Sequence, residues 1–350
     1  MTGRQMTRRI SWVWFCGAAA ATAVALSGCG GPKPIAAGNT GTGAASGTGS
    51  SIDLTRNGKT NVSTGTSTDT SITRGLTDAP WPPVGYVNVT NVSYGAYALG
   101  PQLTATSPLA GAGGTGGNGA GAGANCSGLY GVVRDFEMGT TSGGHPDFQS
   151  PPVQDDRGIV TATLGSDGKP VYAHQGGTTP TTNGQAEYDK WYNDVPGVNM
   201  TYLLGLHFVP NGKVVTFAAS INNQGVPDSS YFPLDGQGFG NQGENHNFSF
   251  TTEIHTSFTY NGGETFTFQG DDDVWVYINN QRVIDLGGIH AQETQTVNLD
   301  AQAGTLGITV GNVYSLAVFN AERHTTQSNF RIDTTMAFTN CGEVDGIIIY

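Results

Sequence analysis

The sequence predicts an antiparallel all-β fold, a sandwich or barrel with one short helix, standing behind a disordered tether. From Cys126 onward the chain reads as about ten short apolar or alternating runs, divided by Asn-Gly, Gly-Gly and Asn-Asn turn signals. Only QAEYDKWYN, Gln185 to Asn193, has a convincing helical turn, and Pro196-Gly197 ends it. Before Cys126 the composition narrows to Gly, Ser, Thr, Asn and Ala. With 53 glycines and 12% charged residues over all 350 positions, much of the chain has little to bury.

The N-terminus predicts export. Arg4, Arg8 and Arg9 precede an apolar run from Ile10 to Leu26 that is marginal for a stable membrane span. The next residues, Leu26-Ser27-Gly28-Cys29, resemble the lipobox of bacterial lipoproteins. That resemblance implies removal of residues 1–28 and a lipid on Cys29 that ties the mature chain to a bacterial membrane, with the outer membrane or cell surface as the expected location. Gly30 follows, not a retention-type Asp. Loss of a leader with three arginines and no acid moves the formal charge from −12 to −15. So acidic a chain lacks the clustered Lys and Arg that phosphate binding needs, which argues against nucleic acid as a partner. Neutral sugars and metal cations remain compatible. Cys16 goes with the leader and Cys29 takes lipid, so Cys126 and Cys341 are the thiols left in an oxidising compartment. They either pair, bracketing the domain, or stay as two buried thiols.

Residues 29–125 read as a low-complexity tether, because so few apolar groups cannot offset backbone ordering. Within it, Trp81 to Thr106 alternates enough for one or two strands, and Ala110 to Asn125 is an almost side-chain-free linker. The folded domain is expected at 126–341, with 342–350 a C-terminal tail. Its strands are expected at Leu129–Phe136, Tyr202–Val209, Val214–Phe217, Phe248–Tyr260, Glu264–Phe268, Asp273–Asn279, Arg282–Leu286, Gln295–Leu299, Val313–Phe319 and Phe330–Phe338. His145 to Phe148, HPDF, forms an extended corner because Pro146 holds its predecessor away from helical angles.

The most informative stretch is GDDDVWVYINNQRVIDLGGIH, Gly270 to His290. Val274, Val276 and Ile278 share one strand face and Trp275 and Tyr277 the other. Asn279-Asn280 turns the chain into Arg282–Leu286, giving a hairpin with Asp271, Asp272 and Asp273 at its mouth. Three adjacent carboxylates repel unless solvent, hydrogen bonds or a cation offset them. Hard oxygen ligands favour calcium, and a solvated acidic loop is the alternative. Trp275 and Tyr277 suit the core better than a sugar-stacking surface.

LYGVVRDF, HPDF, YDKWYNDVPGVN, GDDDVWVYINNQRVIDLGGIHA and AVFNAERHTTQSNFRIDTT, in that order, resemble the fibro-slime domain, a branch of the β-sandwich fold first seen in anthrax protective antigen. The resemblance covers about Leu129 to Cys341 and favours the sandwich. It implies that Asp271 and Asp272 match an aspartate pair which, in sugar-binding members, is joined by a cis peptide and holds calcium. Asp273 stands where many relatives have Gly, and is either a third ligand or solvent-facing. A later loop completes the site in such members; Asn320, Glu322, Ser328 and Asn329 are the candidates here, and His290 and His324 recur in the pattern. The expected function is a lipid-anchored, non-catalytic surface module that binds extracellular carbohydrate or matrix in adhesion, with calcium as the expected bridging ion. A structural surface protein with a calcium-stabilised loop and, behind it, a glycosidase using Asp271 or Asp272 with Asp285 or Glu322 as acid and base are the alternatives. No GxSxG turn is present.

Overall fold

The structure is a computed structural model that describes residues 87–92, 95–103, 126, 128–218, 231–344 and 347–349, all within one compact unit, Arg56–Tyr350. The leader, Cys29 with its expected lipid, and most of the tether lie outside the described residues.

Among the described residues, nineteen strands and two helices follow in order. The strands are β1 (Val87–Val92), β2 (Gly95–Leu103), β3 (Gly128–Phe136), β4 (Gln154–Asp155), β5 (Val160–Leu164), β6 (Pro170–Tyr172), β7 (Asn199–Asn211), β8 (Val214–Ala218), β9 (Phe250–Thr259), β10 (Thr265–Gly270) and β11 (Asp273–Ile278). They continue as β12 (Gln281–Leu286), β13 (Gly288–Ile289), β14 (Glu293–Asn298), β15 (Val313–Glu322), β16 (Phe330–Thr334), β17 (Ala337–Phe338), β18 (Gly342–Val344) and β19 (Ile347–Ile349). Pairing is antiparallel throughout the main sheet, in the order β14-β10-β16-β8-β7-β3-β9-β15-β11-β12-β5-β6. The long β7 joins two arms. Its body pairs with β3 and its last residues, Val209 to Asn211, pair with β8.

The alternation along β11 decides where the cores lie. Val274, Val276 and Ile278 are fully buried in one cluster with Phe266 and Phe268 of β10, Phe330 and Ile332 of β16, and Ile254 and Phe258 of β9, so both arms contribute to it. Trp275 and Tyr277 point the other way, into a second cluster with Phe136, Phe148, Tyr172, Tyr188, Trp191, Tyr192 and Phe319. Both rings belong to the core, and the Trp275 indole N–H donates to Asp285 Oδ1 at 3.1 Å. A buried Trp needs such a partner.

Several expected boundaries shift. β2 pairs with β7 in the main sheet, so residues assigned to the tether add strands to the domain. The expected helix shrinks to Gln185–Tyr188, whose N-cap Gly184 offers no side-chain bond; Trp191 and Tyr192 are buried beyond it. A second helix, Leu299–Leu306, replaces the expected end of a strand. Asn298 caps it by accepting from Ala301 N at 3.1 Å, and Gly307 closes it at φ 65°. Phe330–Phe338 divides into β16, which pairs with β10 and β8, and β17, which crosses to β9. The supposed tail contains β18 and β19, paired as a hairpin. Cys126 and Cys341 form a disulfide with Cα atoms 5.3 Å apart, and Tyr130 N donates to the Cys341 carbonyl at 2.7 Å.

Candidate functional site

The hairpin forms as its sequence dictates. Asn279 and Asn280 take φ 48° and 64°, the left-handed pair that suits a two-residue hairpin and that Asn tolerates. With β11 held between β12 and β15, its N-terminal end carries Asp271 and Asp272 into a pocket of about 160 Å³. Ile289, His290, His324, Thr325 and Gln327 line the same pocket.

All three aspartates are buried, which removes the solvated-loop reading. Asp271 accepts from the backbone and side-chain N–H groups of Asn329, the latter at 2.8 Å. Asp272 sits at φ 52° and accepts from Arg323 N at 2.9 Å. Asp273 is a correction to the expected metal trio, being neither solvent-facing nor free to ligate. Its Oδ2 pairs with Arg323 Nε at 2.5 Å and its Oδ1 accepts from Gly288 N at 2.8 Å. The Arg323 guanidinium spends its remaining donors on the Asp147 and Thr181 carbonyls and on Thr181 Oγ1, and lies 4.6 Å over the Trp191 ring. The expected cis bond between Asp271 and Asp272 is also corrected. Among the described residues the cis peptide is Thr325-Thr326, on the pocket wall.

The late-loop candidates do come to this end of the sheet. Glu322 closes β15, and its carboxyl is pushed well above the usual range by burial and then by the nearby charges of Asp272 and Asp271. Burial, followed by the charge of Asp271, raises Asp272 in the same way, and burial pushes Asp271 up to about 6 against the Asn329 bonds. Three oxygens of this cluster, Glu322 Oε1, Asn320 Oδ1 and Asn329 Oδ1, are buried with no hydrogen-bond partner. Asn320 donates to the Asp273 carbonyl at 3.2 Å, and Ser328 Oγ is spent on the Tyr231 carbonyl at 2.8 Å. Buried carboxyls that repel one another beside unpartnered hard oxygens are a donor set that suits a calcium ion.

His290 is buried on the pocket wall with both ring nitrogens near backbone carbonyls, and His324 Nδ1 lies 2.6 Å from the Thr325 carbonyl. Asp155 and Glu293, not singled out from sequence, lie beside His290. Among the described residues theirs is the trio of His, Cys, Asp or Glu whose ligand atoms all fall within 4.8 Å of one another. Asp155 sits in a two-residue strand without a periodic signal, so nothing local marks it.

Comparison with known proteins agrees with this architecture. Residues 196–348 match the PA14 domain model. The chain is similar to protein psiR of Dictyostelium discoideum, 38% identical over 224 residues that cover 58% of this chain and 21% of psiR. It is similar also to protein psiD of that organism, 40% identical over 234 residues that cover 61% of this chain and 42% of psiD. The chain thus spans well under half the length of these curated relatives, and their source lends nothing to a bacterial reading of the leader. Among solved structures, a PA14 sugar-binding domain from an RTX adhesin aligns with 60% of this chain and 93% of its own at 12% identity, with a TM-score of 0.26.

Proposed function

We propose that this chain is a non-catalytic, surface-displayed module that binds carbohydrate through a calcium ion held by Asp271 and Asp272, in adhesion to cells or matrix. One observation carries the reading: three buried oxygens without partners, on Glu322, Asn320 and Asn329, belong to the same cluster as three buried, mutually repelling carboxyls, of which Asp271 and Asp272 line the pocket. Asp271, Asp272 and Glu322 would supply charge to the ion, and Asn329 and Asn320 neutral oxygen. Bound there, calcium would offer open coordination positions to the hydroxyl pair of a sugar.

The residues themselves do the rest. Asn329 fixes the Asp271 carboxylate through two donors, and the Arg323 backbone N–H fixes that of Asp272. Ile289 and Val153 give the pocket an apolar side, and its 160 Å³ is the scale of a single sugar ring rather than a long chain. The PA14 match over residues 196–348 is consistent with such a module. A glycosidase needs a carboxylate pair free to exchange protons with substrate. Asp285 instead receives the Trp275 indole and Gly158 N–H groups, while Asp271 and Asp272 are held as above. Export and lipid attachment at Cys29 belong to the same proposal and rest on the LSGC motif.

Retention on a glycan array in calcium and in chelator tests the binding. Calcium-dependent retention that Asp272→Asn abolishes is expected. Retention indifferent to chelator overturns the role of calcium, and a calcium-raised melting temperature with no glycan retained leaves the structural module in its place.

A further inference from the structure

We propose that Gln149 sets which sugar the pocket accepts, as the positioning residue for the part of the pocket wall formed by residues 324–327; the proposal rests on the carbohydrate reading above. His324, Thr325, Thr326 and Gln327 line the pocket together with Asp271 and Asp272. The loop that carries them is anchored at both ends. Arg323 is held by Asp273, Asp147 and Thr181. Asn329 is held by Asp271, and Ser328 Oγ donates to the Tyr231 carbonyl. Between these anchors Thr326 and Gln327 are exposed. Among the described residues, the hydrogen bonds that tie this stretch to a distant segment both join Thr325 to Gln149.

The contact is a two-point clip. Thr325 N donates to Gln149 Oε1 at 3.0 Å and Gln149 Nε2 donates to Thr325 Oγ1 at 3.0 Å, so one planar amide grips the backbone and the side chain of a single residue. Gln149 N adds a bond to the Arg323 carbonyl at 2.6 Å. The clip stands on a rigid base. The preceding Phe148 is fully buried, stacks on Phe136 with ring centroids 4.4 Å apart, and accepts at its carbonyl from Gly139 N at 2.8 Å. Gln149 itself sits at φ 63°, a left-handed conformation uncommon for a residue other than Gly, Asn or Asp. Glycine would hold that backbone with less strain, and what the glutamine side chain adds is the pair of bonds to Thr325. Gln149 does not line the pocket, so it acts through Thr325. Sugars that differ by one epimeric hydroxyl are told apart only by a wall held in place, and a wall about 1 Å too loose loses the distinction.

The test compares the full chain with its Gln149→Gly variant, which removes the clip and relieves the backbone, for binding in calcium to immobilised mannose, galactose and glucose. The wild type should prefer one of the three. Gln149→Gly should bind that sugar about tenfold more weakly and discriminate less, with the calcium-induced rise in melting temperature unchanged. Hydrogen exchange at residues 324–327 should quicken in the same variant. Gln149→Glu should restore both preference and protection, because its two oxygens can accept from Thr325 N and from the Thr325 hydroxyl turned to donate. Wild-type preference or wild-type exchange in Gln149→Gly overturns the proposal while leaving the binding reading intact. Loss of the calcium response in Gln149→Gly overturns it too, by making Gln149 a support of the ion site. A wild type that retains none of the three sugars overturns the binding reading, and this proposal with it.

Discussion

Arg323 and Asp273 face each other with no exposed side-chain surface, 2.5 Å apart; the other two guanidinium nitrogens donate to Asp147 and Thr181, and the Arg323 backbone N–H donates to Asp272. Removing one member of such a pair strands the other as a buried charge. Arg323→Met should therefore destabilise the domain by about 3–5 kcal/mol in urea unfolding. The same geometry separates two neighbouring aspartates by role. Calcium should raise the melting temperature of the wild-type domain, and Asp272→Asn should abolish most of that rise. Asp273→Asn should lower stability with and without calcium yet leave the rise in place. An Asp273→Asn protein blind to calcium would return Asp273 to the ligand set. Motifs that look separate along the chain meet at this pair: HPDF supplies the Asp147 carbonyl, YDKWYN the Trp191 ring, DDDVWVY Asp273 and AERH the arginine.

Two elements have behaviour that follows from single backbone or carboxyl features. The β11–β12 turn needs two residues at positive φ. Asn280→Gly should be close to neutral, whereas Asn280→Val should cost on the order of 1–2 kcal/mol because a β-branched residue resists the left-handed region. The segment from Tyr231 to Phe248 is held to β3 by Asp135, which accepts from Phe239 N at 2.6 Å and Asn247 Nδ2 at 2.7 Å. Burial outweighs those bonds and pushes the Asp135 carboxyl from 3.8 up to about 7. A folded-state value above the unfolded one means the folded protein holds the proton more tightly. The stability this group contributes is complete below about pH 4 and is lost as pH rises through about 7. In chelator, unfolding free energy should fall over that window by at most about 4 kcal/mol from this group. Asp135→Asn should flatten the slope, as chemical denaturation at a series of pH values would show.

For the molecule as a whole, the bridge between Cys126 and Cys341 closes 215 residues, nearly the entire sheet, and joins the start of β3 to the strand pair that ends the chain. In the chain-entropy model such a loop is worth about 5 kcal/mol, an upper figure. Cys126→Ser/Cys341→Ser should lower the unfolding midpoint accordingly, and a midpoint unmoved by reductant would show that the bridge does not form. Tyr130, Val132, Leu203 and Val344 pack around Cys341, so part of the loss should persist even in a variant that fills the site.

Local pattern was enough for much of this. The period-two alternation of β11, the Asn-Asn turn and the all-β class are properties of neighbouring residues, and the sequence determined them by itself; counting cysteines left a bridge or two buried thiols open, and the 5.3 Å approach of the Cys126 and Cys341 Cα atoms decided for the bridge. The fate of each charge was different. Whether Asp271, Asp272 or Asp273 faces an ion, a backbone amide or a guanidinium depends on Arg323 and Asn329, some fifty residues away. Likewise Asp155 meets His290 only because β4 pairs with β13. Antiparallel sheets bring distant segments together by register, and register is set by the whole set of strands. The hydrophobic pattern is therefore legible one element at a time, while the electrostatic partners that make a site are decided only when the sheet closes.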